Sequence, residues 1–356
     1  MEKQVLGMKK LLAFMLLTSG CFAVYSQVGG RHAYEFLNLV SAPRVAALGG
    51  KYISSFDDDL SLIYYNPSLL NSEMDSHLSL NYVNYYAGVK YGSIAYAHKL
   101  NNHKRNIAFG IQYINYGNFT EADPTGVITG TFTAAEYAFN VAVSQPIDSF
   151  LSVGVDARPI LSIYESYKSA GLSTDIGITY HNPEKFYTVA LVVRNFGTQI
   201  KSYTTYETLP FEIQLGFTQK LRYAPFQISI TAQHLEMPDM SSPDLVDENQ
   251  NLSNDLQPAT QSKIDKVANM FMRHLIFGLE FVPINNFYLR LGYNFQRRQE
   301  MKLESHTSTV GFSWGFGLSL SRFQISFARA TYHVAGSTTH IGVTTDLSSF
   351  YRKRKI

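Results

Sequence analysis

The sequence predicts an all-β protein: a transmembrane antiparallel β-barrel of about fourteen strands, preceded by an N-terminal hatch or plug segment. From residue 76 onward, apolar and polar residues alternate with a period of two, as in 211–218 and 226–233. Successive side chains of a strand point to opposite faces, so each strand has one apolar and one polar face. The alternating segments number about fourteen, an even count that suits an outer-membrane barrel.

Connection lengths separate this barrel from a soluble β-sandwich, which alternates in the same way. Every second connection is mostly short, whereas long ones fall between them. The predicted long connections are 117–130, 195–210, 235–271 and 295–306. Short turns at one rim and long loops at the other are typical of outer-membrane barrels. The barrel is therefore predicted over 76–349, with 235–271 as a long extracellular loop and 350–356 as a basic tail.

The composition fits this class and excludes others. The chain has 356 residues, a net charge of +2, 14% aromatic and 16% charged residues. Near-neutrality argues against a nucleic-acid binder, which needs a basic face to neutralise phosphates. A single cysteine excludes an internal disulfide framework.

Residues 1–26 have the features of a secretory signal peptide. Lys9 and Lys10 precede an apolar run, and Ser26 is a small residue at a plausible cleavage point. Translation from Met8 would leave residues 1–7 untranslated. Cys21 offers an alternative, lipoprotein-like processing site. No later run of about 18 apolar residues could form a spanning helix, so a membrane protein of this sequence must cross as a closed barrel.

The segment 27–75 precedes the first strand and is predicted to fold back into the barrel as a hatch. Its turn residues are Asn66, Pro67 and Ser68. Its candidate contacts with the lumen are Tyr64, Tyr65, Asp57, Asp58 and Asp59. The acidic triplet is open to a calcium interpretation, but the spacing of an EF-hand is absent. A solvated turn, or a partner for lumenal arginines, is the expected role, and no metal is predicted.

Residues 46–70 carry a family resemblance. The pattern AALGG…DD…IYYNPSLL before a series of amphipathic strands resembles the FadL-type outer-membrane barrels, although Ser68 stands where that family usually has alanine. Within that superfamily, 29–70 looks like the PorV/PorQ group of the type IX secretion machinery. The resemblance implies the outer membrane of a Gram-negative bacterium of the Bacteroidota type. It implies as partners the membrane lipid, other type IX subunits and the C-terminal signal domains of cargo proteins.

No catalytic motif is present. The sequence has no HExxH motif, no GxSxG elbow and no phosphate-binding GxxxxGK[ST] loop. Charged residues such as Arg158, Arg194, Arg290 and Glu280 fall on the polar faces of predicted strands, where lumenal charges are expected. We expect neither an enzyme nor a cofactor.

Two functions remain after this search. By resemblance, the protein is expected to be a non-enzymatic component of type IX secretion, acting in the export or surface attachment of cargo. The alternative is a FadL-type transporter of hydrophobic small molecules. The polar lumen-facing residues disfavour a wide apolar channel. A third hypothesis is a soluble periplasmic β-protein, and membrane fractionation would distinguish it from the two membrane proteins.

Overall fold

The computed structural model describes residues 32–100, 105–240, 263–284, 286–301, 309–333 and 336–351. Fourteen antiparallel strands within these ranges pair in sequence order, and the last pairs with the first to close a barrel. The predicted fold class is confirmed. The signal peptide at 1–26 and residues 27–31 of the predicted hatch lie outside the described residues. So do residues 241–262 of the predicted long loop, residues 302–306 of the predicted connection 295–306 and residues 352–356 of the basic tail.

The element bounds follow the predicted order. The strands are β1 His77–Asn84, β2 Lys90–Leu100, β3 Arg105–Ala122, β4 Ile128–Pro146, β5 Leu151–Tyr164, β6 Tyr167–Asn182, β7 Tyr187–Lys201, β8 Glu212–Lys220, β9 Phe226–Ala232, β10 Leu275–Ile284, β11 Phe287–Asn294, β12 Phe312–Leu320, β13 Phe323–His333 and β14 Gly336–Asp346. The described α-helices are α1 Pro43–Ala47, α2 Lys263–Arg273, α3 Phe295–Glu300 and α4 Ser348–Tyr351. Among the described residues, no helix combines the length and apolarity of a membrane span.

Strand alternation gives the barrel an apolar exterior and a polar interior. On β8, Leu215 and Phe217 point outward and are 43% and 41% exposed, whereas Gln214 and Thr218 face the lumen and are buried. Outward-facing leucine, isoleucine and phenylalanine recur on the other strands. An apolar outer band around a polar lumen is the surface of a membrane-spanning barrel.

Several strands extend beyond their predicted ends. The predicted connection 117–130 is mostly strand, because β3 continues to Ala122 and β4 starts at Ile128. Phe119 and Phe132 stack across this hairpin with ring centroids 5.1 Å apart. Most of its side chains are exposed on both faces, so the apolar–polar alternation that identifies a half-buried strand is lost there. The predicted connection 195–210 shortens in the same way, since β7 continues to Lys201.

Residues 32–76 lie inside the barrel, and we call this segment the hatch. It contains α1 and short 3₁₀ helices at Glu35–Asn38, Leu60–Tyr64, Pro67–Leu69 and Ser72–Met74. Most of its side chains are buried. α1 packs against β12 and β13, and Pro67–Leu69 packs against β4, β5 and β6. The hatch therefore contacts strands from both halves of the barrel sequence.

Candidate functional site

A buried arginine joins the hatch to the barrel wall. Arg44 on α1 donates from Nη1 to Asp57 Oδ2 at 2.7 Å and from Nη2 to Glu280 Oε1 at 3.1 Å. Glu280 also accepts from Nε of Arg290 at 2.5 Å. Charged hydrogen bonds of this kind are stronger than neutral ones, and buried charges require such partners. The network fixes α1 against β10 and β11.

The three aspartates of the hatch have separate surroundings. Asp57 accepts from Arg44 and, at 2.7 Å, from Ser55 Oγ. Asp59 caps the helix Leu60–Tyr64, because its Oδ1 accepts from the backbone N–H of Ser61 at 3.1 Å. Asp58 is exposed. Two of the three therefore share Arg44, which lies within 3.5 Å of Asp59 as well.

The turn at residues 66–68 packs against the inner face of β5 and β6. Asn66 Nδ2 donates to Ile53 O at 2.8 Å and to Thr179 Oγ1 at 3.0 Å, and its Oδ1 accepts from the Ser68 N–H. Ser68 O accepts from Ser152 Oγ at 2.7 Å. A Cβ at Gly177 would overlap Asn66 Oδ1, and one at Gly154 would overlap the backbone of Pro67. Glycine at both wall positions lets the turn approach this closely.

The two tyrosines that precede this turn make different contacts. Tyr64 donates its hydroxyl hydrogen bond to Ile94 O on β2 and lies against Gly110 of β3. Tyr65 stays within the hatch: its hydroxyl accepts from the N–H groups of Ser41 and Ala42, at 3.0 and 3.2 Å. The Arg194 guanidinium lies 5.7 Å from the Tyr65 ring centre.

A second ion pair ties the hatch to β8. Lys51 Nζ donates to Glu212 Oε2 at 2.7 Å, and the Glu212 side chain is fully buried. His234 lies on the other side of this carboxylate, with Nε2 3.8 Å from Glu212 Oε1, and its Nδ1 is 3.0 Å from Glu236 Oε1. Residues 42–50 of the hatch are a run of mostly small residues, and one cation lies near each end of it, Arg44 and Lys51.

The wall carries its own buried charges beside the hatch. Arg158 of β5 donates to Asp156 at 2.8 Å and to Asp175 of β6 at 2.5 Å. Arg194 Nε of β7 lies 3.7 Å from Asp175. Two arginines and two aspartates neutralise one another, which makes this cluster a structural tie across three strands.

A cavity of about 570 Å³ lies between the hatch and the wall at the end of the barrel that carries the short connections. We call it the mouth cavity. Its lining residues are Arg44, Ser54, Ser55, Phe56, Asp57, Asp58, His181, Pro183, Phe186, Thr188, Thr218, Lys220, Pro225, Phe226, Gln227, Glu280, Val282, Tyr288, Arg290 and Gln324. Its volume lies within the range of small-molecule sites.

The pKa values of two neighbouring carboxyl groups in this cavity are shifted in opposite directions. Burial tends to raise the pKa of Asp57, but the Arg44 charge and the hydrogen bonds from Ser55 and Arg44 hold it below its usual value. The Asp58 side chain reaches solvent, but partial desolvation beside the hatch and the negative charges of Asp57 and Asp59 raise its pKa. Asp57 is therefore the carboxylate whose negative charge stabilises the hatch through Arg44.

Sequence reasoning missed the residues that fasten the hatch. Arg44 and Lys51 are the cations of the two ties, and neither was singled out, although Arg44 lies alone in a small-residue run. The acidic triplet was expected to pair with lumenal arginines, and its nearest arginine belongs to the hatch itself. Within the described ranges, no three His, Cys, Asp or Glu side chains are arranged to hold a metal ion.

Comparison with known proteins gives structural likeness only. No protein-family model matches the chain, and no curated protein matches it. The toluene transporter TodX of Pseudomonas putida matches at 11% identity over 86% of this chain and 96% of its own, with a TM-score of 0.49. CymD, titled a monoaromatic hydrocarbon channel, matches at 12% identity over 88% and 97%, with a TM-score of 0.49. A FadL homologue of Pseudomonas aeruginosa matches at 9% identity over 86% and 98%, with a TM-score of 0.47.

The class that the fold defines is a β-barrel of the outer-membrane type with an occupied lumen. Fourteen antiparallel strands close without an edge, the exterior is apolar, and the hatch lies within. What such a barrel does depends on the hatch and its surfaces rather than on the barrel alone.

Proposed function

We propose that this protein is a non-enzymatic barrel of the bacterial outer membrane in which the hatch keeps the lumen closed. The observation that carries the proposal is the pair of buried ties, Arg44 to Glu280 and Lys51 to Glu212. If the hatch moved away, Arg44 would be separated from Glu280 and Lys51 from Glu212, and separating buried charged partners is costly. The closed state is therefore the resting state.

The finer function that we propose is a role in type IX protein secretion, in the export or surface attachment of cargo in a Bacteroidota-type bacterium. Its support is the sequence resemblance of the hatch, together with a lumen that is filled rather than open. A secretion component of this kind works through its surfaces, with other type IX subunits and cargo signal domains as partners. The loop side near 235–271 is the proposed contact surface.

The second candidate is a FadL-type transporter of small molecules, for which the hatch is a gate. The mouth cavity favours this candidate, because it offers a ligand-sized space beside the hatch with Phe56, Phe186 and Phe226 in its lining. Of the similar solved barrels, TodX is a toluene transporter and CymD a monoaromatic hydrocarbon channel. Transport would require both ion-pair ties to open.

Deletion of the gene separates the two candidates. We expect the null strain to lose exported proteins from the medium and from the cell surface while the uptake of a radiolabelled hydrophobic solute stays normal. Complementation with the wild-type chain is the control. Normal export with reduced uptake would overturn the secretion role and support the transporter. Complete extraction of the protein by carbonate would overturn the membrane location shared by both.

A further inference from the structure

Among the described residues that line the mouth cavity, one cation, Lys220, has no ion-pair partner. Lys220, Gln227, Glu280 and Arg290 are paired in sequence across β8, β9, β10 and β11 and form one row on the lumen side. Glu280 is already held by Arg44 and Arg290. Among the described residues, the ion pairs do not include Lys220, and Arg290 Nη1 has no hydrogen-bond partner.

The same cavity has an aromatic side next to Lys220. Phe56 of the hatch stacks on His181 of β6, with ring centroids 4.9 Å apart and an angle of 17° between the planes. His181 is paired with Thr188, and Thr188 with Thr218, which lies two residues from Lys220 on β8. An aromatic surface and an ammonium group therefore share one part of the cavity wall.

The charges that line the cavity balance, with Arg44, Lys220 and Arg290 against Asp57, Asp58 and Glu280, but most of them already bind one another. Asp57 is held by Arg44 and Ser55, and Glu280 by two arginines. An incoming cation would find these carboxylates occupied and only the exposed Asp58 open to it. An incoming carboxylate would find Lys220, and a charge-assisted hydrogen bond to an ammonium group is among the stronger ones. Aromatic rings also prefer to pack on other rings.

We propose that the mouth cavity binds a small aromatic carboxylate, with its ring against Phe56 and its carboxylate beside Lys220. A hydrocarbon of the same size would gain only the ring contact. An aromatic amine would meet the positive charge of Lys220. Binding at this cavity does not depend on whether the barrel serves secretion or transport, since the cavity exists with the hatch in place.

The test uses the full-length mature protein in detergent micelles. Phenylacetate, toluene and phenethylamine are titrated by calorimetry and by ligand-observed NMR, with empty micelles to correct for partition into detergent. We expect saturable binding of phenylacetate alone. Lys220→Gln should weaken it about tenfold, as loss of a charged hydrogen bond does. Phe56→Leu should weaken it as well.

Lys185→Gln is the matched control, because Lys185 is exposed near the same rim and does not line the cavity. It should leave the affinity unchanged. Heat-modifiable gel mobility of each variant confirms that the barrel is folded before titration. Absence of phenylacetate binding, equal binding of toluene or phenethylamine, or full affinity in a folded Lys220→Gln variant would each overturn the proposal.

Discussion

Arg44 and Glu280 are separated by 236 positions in the sequence, yet their side chains meet at 3.1 Å inside the barrel. Arg44 belongs to the hatch and Glu280 to the wall, and both are buried. This bond joins the segment that enters the lumen to a strand formed late in the sequence. Its loss is the most direct way to loosen the hatch.

Arg44→Met should lower the free energy of unfolding by about 1–3 kcal/mol, because it removes the charged hydrogen bonds to Asp57 and Glu280, although Glu280 keeps Arg290. Guanidinium titration of the purified barrel, followed by tyrosine fluorescence and gel mobility, measures this. Arg105→Met is the control. Arg105 is exposed and bonds to the half-buried Gln145 at the barrel rim, so its change should stay within about 0.5 kcal/mol. Similar losses for both variants would refute the anchoring role of Arg44.

Acid should weaken the hatch through Asp57. The pKa of this carboxyl is lower in the folded protein than its usual value, so its contribution to stability is complete above the usual value and disappears as the pH falls through the folded one. Protease accessibility of the hatch between pH 6 and pH 2 measures the effect. Asp57→Asn should flatten this profile.

The variant Asp58→Asn should change the stability of the protein in the opposite direction to Asp57→Asn. The pKa of Asp58 is raised in the folded protein, so ionisation of Asp58 costs stability as the pH rises through its usual and then its folded value. The variant should therefore be more stable than the wild type at neutral pH. A loss of stability at pH 7 would show that the assignment of roles within the triplet is wrong.

Charge on the outward face should destabilise the barrel according to its depth in the membrane. Leu215 lies within β8 and points outward, so Leu215→Arg should cost about 2–4 kcal/mol. Leu221, just past the end of the same strand, serves as the depth control, and Leu221→Arg should cost at most about 1 kcal/mol. Unfolding titrations in lipid vesicles compare them. Equal costs would contradict an apolar band that is centred on the strands.

Removal of the Asn66 side chain should unseat the hatch turn. Asn66→Ala deletes bonds to Ile53 O, Thr179 Oγ1 and the Ser68 N–H, and leaves buried groups without partners. The expected loss is about 1–3 kcal/mol for each buried group left unpaired. Asn118→Ala, at an exposed position of the β3–β4 hairpin, should change little. Hydrogen exchange of residues 60–70 is the measurement, and unchanged protection in Asn66→Ala would sink the idea.

The barrel could be predicted from the sequence because its rule is local. The alternation of apolar and polar residues identifies the outer and inner face of each strand, and the connection lengths identify the two rims of the barrel. The rule fails where both faces meet the same solvent, as in the hairpin around Phe119 and Phe132. There the strands continue without an alternating pattern.

The interior could be predicted only in part because its contacts are long-range. Asp57 and Asn66 could be identified as hatch residues from the turn chemistry around them. The wall partners, Glu280 for Arg44 and Thr179 for Asn66, lie more than a hundred positions away, and no local pattern specifies them. The mouth cavity depends on how the hatch sits against six or more strands, so it has no sequence signature of its own.

The contacts of α1 have a consequence for the order of assembly. Gly49 donates its N–H to Ser313 Oγ of β12, and the same hydroxyl donates to Ala47 O, so the end of α1 is held by one of the last strands. The hatch precedes the wall in the sequence, but its hydrogen bonds to Ser313 can form only after β12 has joined the barrel. A chain truncated before β12 would lack the hydrogen bonds between the hatch and Ser313, and it would also lack β14, the strand that closes the barrel. The hatch therefore cannot complete its contacts until β12 is part of the barrel.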